Sequence, residues 1–207
     1  MKSRPVVIVL AAGRGTRFQG LQHKLMQDLG DSTVLAATLT NALATRLPIV
    51  VVTTESLAEE VAQHVATRDI VLMPELGTEA SQGLGMGYSI AAGVAARSDA
   101  PGWLILPADM PMVQPATLQA VAHQLSEHPV AYAQHLGRRG HPVGFASELY
   151  TELVMLTGDQ GARRLVARYP AREVEVDDPG VLLDIDTEAD LDRVRGAFAV
   201  SLFGPLH

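Results

Sequence analysis

Apolar residues follow two alternating patterns along the chain: short unbroken aliphatic runs, and longer segments where they recur at helical spacing. Val6–Ala11 is a run rich in β-branched residues, as expected of a strand buried on both faces. Ile49–Thr53, Ile70–Met73 and Trp103–Leu106 have the same character. Between them the spacing predicts helices over Thr33–Arg46, with Asp31 or Ser32 as N-cap, and over Ser56–Thr67, where Glu59 completes a capping-box pattern. Two more follow over Tyr88–Arg97 and Gln114–Glu127. Strands alternating with helices in this way imply βαβ units and a mostly parallel sheet.

Further along, Val130–Ala133 and Glu173–Val176 read as strands, and GRRGHPVGF (137–145) as a hairpin whose turn carries arginines. Asp159 stands where it could cap a helix bearing Arg163 and Arg164. In DIDTEADL, Asp184 and Asp186 alternate along an extended segment and share a face. Thr187 then opens a last helix, with Asp190 three residues on, expected to end near Gly196. Residues 1–196 are thus expected to form one domain, and 197–207 a tail.

Composition narrows the options. A chain of 207 residues suffices for one well-buried α/β domain. Its net charge of −7 argues against a nucleic-acid surface and makes any local cluster of cations informative. No cysteine is present, which removes disulfides, thiolate metal sites and a cysteine nucleophile. The apolar start is too short for a signal peptide, and no apolar segment has the length of a membrane span, so a cytoplasmic protein is expected.

The chemistry concentrates where the first strand ends. Gly13, Arg14, Gly15, Arg17 and Lys24 form a glycine-rich cationic turn, suited to a phosphate because glycine admits close backbone approach and the cations offset charge. It is not a P-loop, since Leu21 stands where the lysine belongs, nor a dinucleotide fingerprint, since Phe18 replaces the third glycine. The segment 74–87, PELGTEASQGLGMG, is a second glycine-rich loop, of a length that tends to be functional or disordered. It leads into a small-residue helix able to lie close to a sheet or ligand, whose N-terminal amides could receive an anion. PADMP (107–111) holds Asp109 on a stiffened backbone at a strand end, where ligands bind in open α/β sheets. Asp109 suits a metal ligand; the alternative, a cap for the helix near Gln114, requires a long spacing.

The LAAG-x-G-x-R-F…K loop, the glycine segment, PADMP and DIDT-x-x-DL occur in that order and cover nearly the whole chain. In this the chain resembles the nucleotidyltransferases, and among them the molybdenum-cofactor cytidylyltransferases. The resemblance implies a single three-layer αβα Rossmann-like domain. It also implies transfer of CMP from CTP to the phosphate of molybdopterin, with Mg2+ as cofactor and a molybdoenzyme as recipient of the product. Under it, Leu10, Ala11, Ala12, Gly13, Arg14 and Gly15 wrap the nucleotide, and Gly85, Gly87 and Ser89 contact its base and sugar. Arg17 and Lys24 neutralise the triphosphate, Asp109 and Asp186 hold the metal, and His141, Pro142, Asp159, Arg163 and Asp184 frame the acceptor. Ala12, where the related guanylyltransferases tend to carry glycine, points to cytosine. Phe18 in the usual methionine position and a longer gap before Lys24 depart from the commoner form of the loop.

Overall fold

The aliphatic runs form the buried centre of a sheet. A computed structural model describes residues 4–13, 18, 22–74, 85–158 and 161–203. Its strands are β1 (Val6–Ala11), β2 (Asp28–Leu29), β3 (Ser32–Thr33), β4 (Ile49–Thr54), β5 (Ile70–Met73), β6 (Gly102–Pro107), β7 (Val130–His135), β8 (Arg138–Ala146) and β9 (Ala171–Glu175). Among the described residues, seven of them make one sheet in the order β5-β4-β1-β6-β8-β7-β9, and β2 and β3 make a small separate hairpin. β1 pairs parallel with β4 and β6, β4 with β5, and β7 with β9; β8 runs antiparallel to both neighbours. β1 sits in the middle of the parallel part, which is why its run has no polar positions.

Helices cover both faces. On one side, α1 (Val34–Ala44), α2 (Glu55–Ala62), α4 (Pro115–Gln124) and α7 (Glu188–Phe203) pack over Val7, Val9, Ala11 and Val51. On the other, α3 (Met86–Ala95), α5 (Tyr150–Val154) and α6 (Arg163–Arg168) pack over Val6, Ile8, Val50 and Val52. This is the expected three-layer αβα architecture. The small residues of α3 bring it down on the sheet: a Cβ added at Gly93 would lie 2.6 Å from Ile8 and 2.9 Å from Val52.

Three local expectations are corrected, and a fourth, the Asp159 cap, falls on a residue outside the described ones. The N-cap of α1 is Thr33, whose hydroxyl accepts from the Ala36 amide at 3.1 Å; Ser32 is drawn into the hairpin with Leu29 instead. α2 starts at Glu55, and no side chain caps it: Ser56 bonds the Thr54 hydroxyl at 3.0 Å, so the capping box with Glu59 does not form. The N-cap position of α6 is Ala162; Asp159, the cap expected there, lies outside the described residues. The last helix does not stop at Gly196 but continues to Phe203. A Cβ at Gly196 would meet nothing, so glycine there is an exposed helical residue and not a terminator. Phe198, two residues on, packs on the core and over Gly30 of the hairpin, while Arg195 Nε donates to the Asp28 carbonyl at 3.0 Å.

Candidate active site

The carboxyl ends of β1, β4, β5 and β6 open on one edge of the sheet, the place where open α/β sheets bind ligands. Lys24 and Asp109 meet there. Lys24 begins a short 3-10 turn, Lys24–Met26, anchored by buried Leu25 and closed by a bond from the Leu25 amide to His23 Nδ1 at 3.2 Å. Its side chain is itself largely buried and forms an ion pair with Asp109 Oδ2. The same ammonium donates to the Ile185 carbonyl at 2.9 Å and lies 3.5 Å from Asp186 Oδ1. The two side chains, expected on the triphosphate and on the metal respectively, are in direct contact.

The loop carrying Asp109 is fixed from several sides. The Ala108 amide donates to the Leu10 carbonyl at 3.0 Å, tying the loop to β1, and the Ile185 amide donates to the Asp109 carbonyl at 3.1 Å. From α1, the Thr38 hydroxyl donates to the Ala108 carbonyl and the Asn41 amide to the Pro111 carbonyl, each at 2.8 Å. Ala108 and Met110 are buried on either side of Asp109. Asp109 does not cap α4. That role belongs to Asp178, a buried carboxylate that accepts from the Gln114 amide at 2.9 Å, the Thr117 hydroxyl at 2.6 Å and the Gly180 amide at 3.0 Å.

Asp178 also starts the segment that delivers the second carboxylate. It opens a 3-10 turn, Pro179–Leu182, pressed so closely on its surroundings that a Cβ at Gly180 would lie 2.2 Å from the Met112 carbonyl oxygen. Gly140 of β8 is as tight, with its added Cβ 2.1 Å from the Val181 carbonyl oxygen. Beyond the turn, Ile185 is fully buried, while the flanking Asp184 is exposed and Asp186 is half-buried beside Lys24. Thr187 and Asp190 then cap α7 reciprocally: Asp190 accepts from the Thr187 amide at 2.9 Å, and the Asp190 amide donates back to the Thr187 hydroxyl at 3.2 Å. The Thr187 hydroxyl also donates to the Asp190 carboxylate at 2.7 Å, and this bond first, then those from the Thr187 and Asp186 amides, holds the Asp190 carboxyl below its usual range against the opposing effect of burial.

One oxygen of Asp109, Oδ1, is buried with no hydrogen-bond partner among the described residues. An orphaned carboxylate oxygen is costly unless a cation or donor completes it. With Asp186 close by, this oxygen-only donor set fits a hard divalent ion held by one or two carboxylates together with substrate phosphates. Among the described residues, no group of three or more His, Asp or Glu side chains could hold a metal without such help.

The remaining candidates fall on both sides of this pair. Leu10, Ala11, Ala12 and Gly13 lie at the end of β1; Gly13 is exposed, and the Ala12 methyl is buried with the α3-side core. Arg14, Gly15 and Arg17 lie outside the described residues. Gly85 is the extended N-cap of α3, and Ser89 is buried one turn in. The Gly87 amide donates to the Gly158 carbonyl at 2.9 Å, and the Tyr88 and Ser89 amides donate to the Gly85 carbonyl. These first-turn amides are therefore satisfied within the protein, and the Gly87 position serves close packing, its added Cβ falling 2.8 Å from the Thr157 carbonyl oxygen.

Of the residues expected to frame an acceptor, His141 and Pro142 lie in β8, joined by a cis peptide, Arg163 opens α6, and Asp159 lies outside the described residues. Burial pushes the His141 imidazole down to about 4, against the opposing pull of Asp184 and helped by Arg139 and Arg163. His141, Asp184 and Arg163 thus share one electrostatic neighbourhood, which also contains Arg139. Thr38, Asn41, Asp178 and Ile185 were not foreseen as site-supporting residues.

Comparison with known proteins agrees with the geometry. Residues 7–174 match the family described as the MobA-like NTP transferase domain. A relative from Bacillus subtilis (strain 168), the purine catabolism protein PucB, is 32% identical over 200 residues, spanning 93% of this chain and 96% of its own. The crystal structure of Rv0371c from Mycobacterium tuberculosis H37Rv superposes with a TM-score of 0.80 at 29% identity, covering 95% of this chain and 99% of that one. The same protein solved as a complex with manganese gives a TM-score of 0.76 at 28% identity, covering 94% and 100%.

Proposed function

Since the chain belongs to the MobA-like NTP transferase family, and so to the nucleotidyltransferases, we propose that it transfers CMP from CTP to the phosphate of a molybdopterin-type acceptor. The observation that carries this reading is the meeting of Lys24, Asp109 and Asp186 at the carboxyl edge of the parallel sheet, with Asp109 Oδ1 left open. In the reaction, an acceptor phosphate oxygen bonds to the α-phosphorus of CTP. The bond from that phosphorus to the bridging oxygen breaks, and pyrophosphate leaves with the electron pair.

Such a transfer needs positioning and charge neutralisation more than a protein nucleophile. Lys24 and Arg17 neutralise the β- and γ-phosphates, and the backbone of 10–15 wraps the triphosphate. Gly85, Gly87 and Ser89 line the side of the base and sugar. Asp109 and Asp186 would hold a divalent ion, magnesium in this reading, which when bound neutralises phosphate oxygens and polarises the phosphorus. The relative bound to manganese is consistent with a divalent ion in this fold. No general base is required because the attacking phosphate is already anionic, and His141, neutral at pH 7, is left to hydrogen-bond the acceptor. Arg163, Asp184, Pro142 and Asp159 complete the acceptor side, and a molybdoenzyme is the partner that takes the product.

A second reading keeps the chemistry and changes the acceptor. The charges of Arg139, Arg163 and Asp184 around His141 would equally suit a sugar phosphate or alcohol phosphate. The test is to incubate the protein with each of the four triphosphates, Mg2+ and candidate acceptors, and to identify products by mass. A cytidylylated molybdopterin together with pyrophosphate supports the first reading; product only with another acceptor or another base replaces it with the second.

A further inference from the structure

Lys24 stands where a cation is wanted. An ammonium has three donors, and among the described residues three oxygens surround this one: Asp109 Oδ2, the Ile185 carbonyl and Asp186 Oδ1. Two carboxylates brought this close repel each other unless a positive charge lies between them. Here the Lys24 ammonium supplies that charge. It does so from a stem fixed in the buried turn that begins at residue 24. Asp109 keeps its second oxygen unengaged among the described residues, so the lysine does not saturate the carboxylates.

We infer that Lys24 is a resident counter-ion that a divalent metal displaces from Asp109 and Asp186, and that the triphosphate draws it off by offering phosphate oxygens in exchange. The inference rests on the metal reading of Asp109 and Asp186 given above. A metal arriving alone either sits beside an ammonium, where two cations repel, or strips that ammonium of its acceptors. When the nucleotide arrives as well, the ammonium exchanges carboxylate and carbonyl for phosphate, and both cations are satisfied. Metal and nucleotide therefore bind with positive coupling, and by linkage each raises the affinity for the other by the same factor. Bare metal is held weakly, and the full charge arrangement assembles only around a bound triphosphate.

The coupling gives Lys24 substitutions two effects of opposite sign. Mn2+ binding without nucleotide, followed by the electron paramagnetic resonance of the free ion, is measured for the parent, Lys24→Met and Lys24→Gln, with folding checked by circular dichroism. Two neutral replacements are used so that misfolding of one leaves the other readable. Both should bind Mn2+ at least about tenfold more tightly than the parent, within the ordinary range of site-to-site coupling, while binding CTP more weakly. Adding Asp109→Asn to Lys24→Met should remove the gain. Mn2+ affinity that is unchanged or reduced in both replacements overturns the exchange. A separate control isolates the metal reading: Asp109→Asn in the otherwise parental chain must weaken Mn2+ binding in the presence of CTP. If it does not, the metal reading falls and the exchange with it. If it does and the Lys24 variants gain nothing, the exchange alone is lost.

Discussion

At the scale of single residues, the site depends on charges held below the surface. Lys24, Asp109 and Asp186 have side chains only 10%, 15% and 26% exposed, so their interactions are less screened than those of a surface pair. Under the proposed reaction, Asp109→Ala should remain folded and lose transfer by at least about a thousandfold, since a metal contributes several kcal/mol of charge stabilisation to such a step. A steady-state pyrophosphate assay at ordinary magnesium checks this, and turnover equal to the parent would remove Asp109 from the metal. His141 supports a prediction about stability. Its imidazole is held down to about 4 in the folded chain, against about 6.5 unfolded, so between those values the unfolded state binds the extra proton. This contribution is fully present above pH 6.5, fades as the pH falls, and is gone below 4, a loss on the order of 3 kcal/mol. Urea unfolding at pH 7 and pH 4.5 should show a smaller drop for His141→Gln than for the parent; equal drops would contradict the assignment.

At the scale of elements, two short segments hold the carboxylates, and each depends on contacts distant in sequence. Asp178 joins the first turn of α4 to the Pro179–Leu182 turn. Asp178→Ala removes a helix cap and leaves buried donors unpaired, which should cost about 2–4 kcal/mol in chemical denaturation. A change below about half a kcal/mol would show that water replaces the carboxylate at that cap. The sequence makes the strands legible because a strand buried on both faces must be apolar throughout, as Val6–Ala11 is. It makes Lys24 and Asp109 legible because each follows a strand end. Asp178 was illegible because its partners, Gln114 and Thr117, lie more than sixty positions away and only the tertiary fold supplies them. The end of α7 was misread for a related reason. Gly196 resembles a helix stop, but Phe198 docks on the core and holds the following turns in place.

At the scale of the whole molecule, the fold gathers at one sheet edge groups that begin far apart in the chain. β1 leads to the segment that ends in Lys24, β6 to PADMP, and the crossing to α7 returns Asp186 to the lysine. The antiparallel β8 brings His141 within the electrostatic reach of Asp184 from that same crossing segment. The docking of α7 on the β2–β3 hairpin couples this segment to the one just after Lys24. Among the described residues no helix is long and apolar enough to cross a membrane. The central claim is that a metal–triphosphate sits across Lys24, Asp109 and Asp186. A crystal soaked with CTP and Mn2+, read by the anomalous signal of manganese, tests it most directly. The account predicts the metal on Asp109 and Asp186, with the Lys24 ammonium moved onto the phosphates; a nucleotide seated away from these three residues would contradict it.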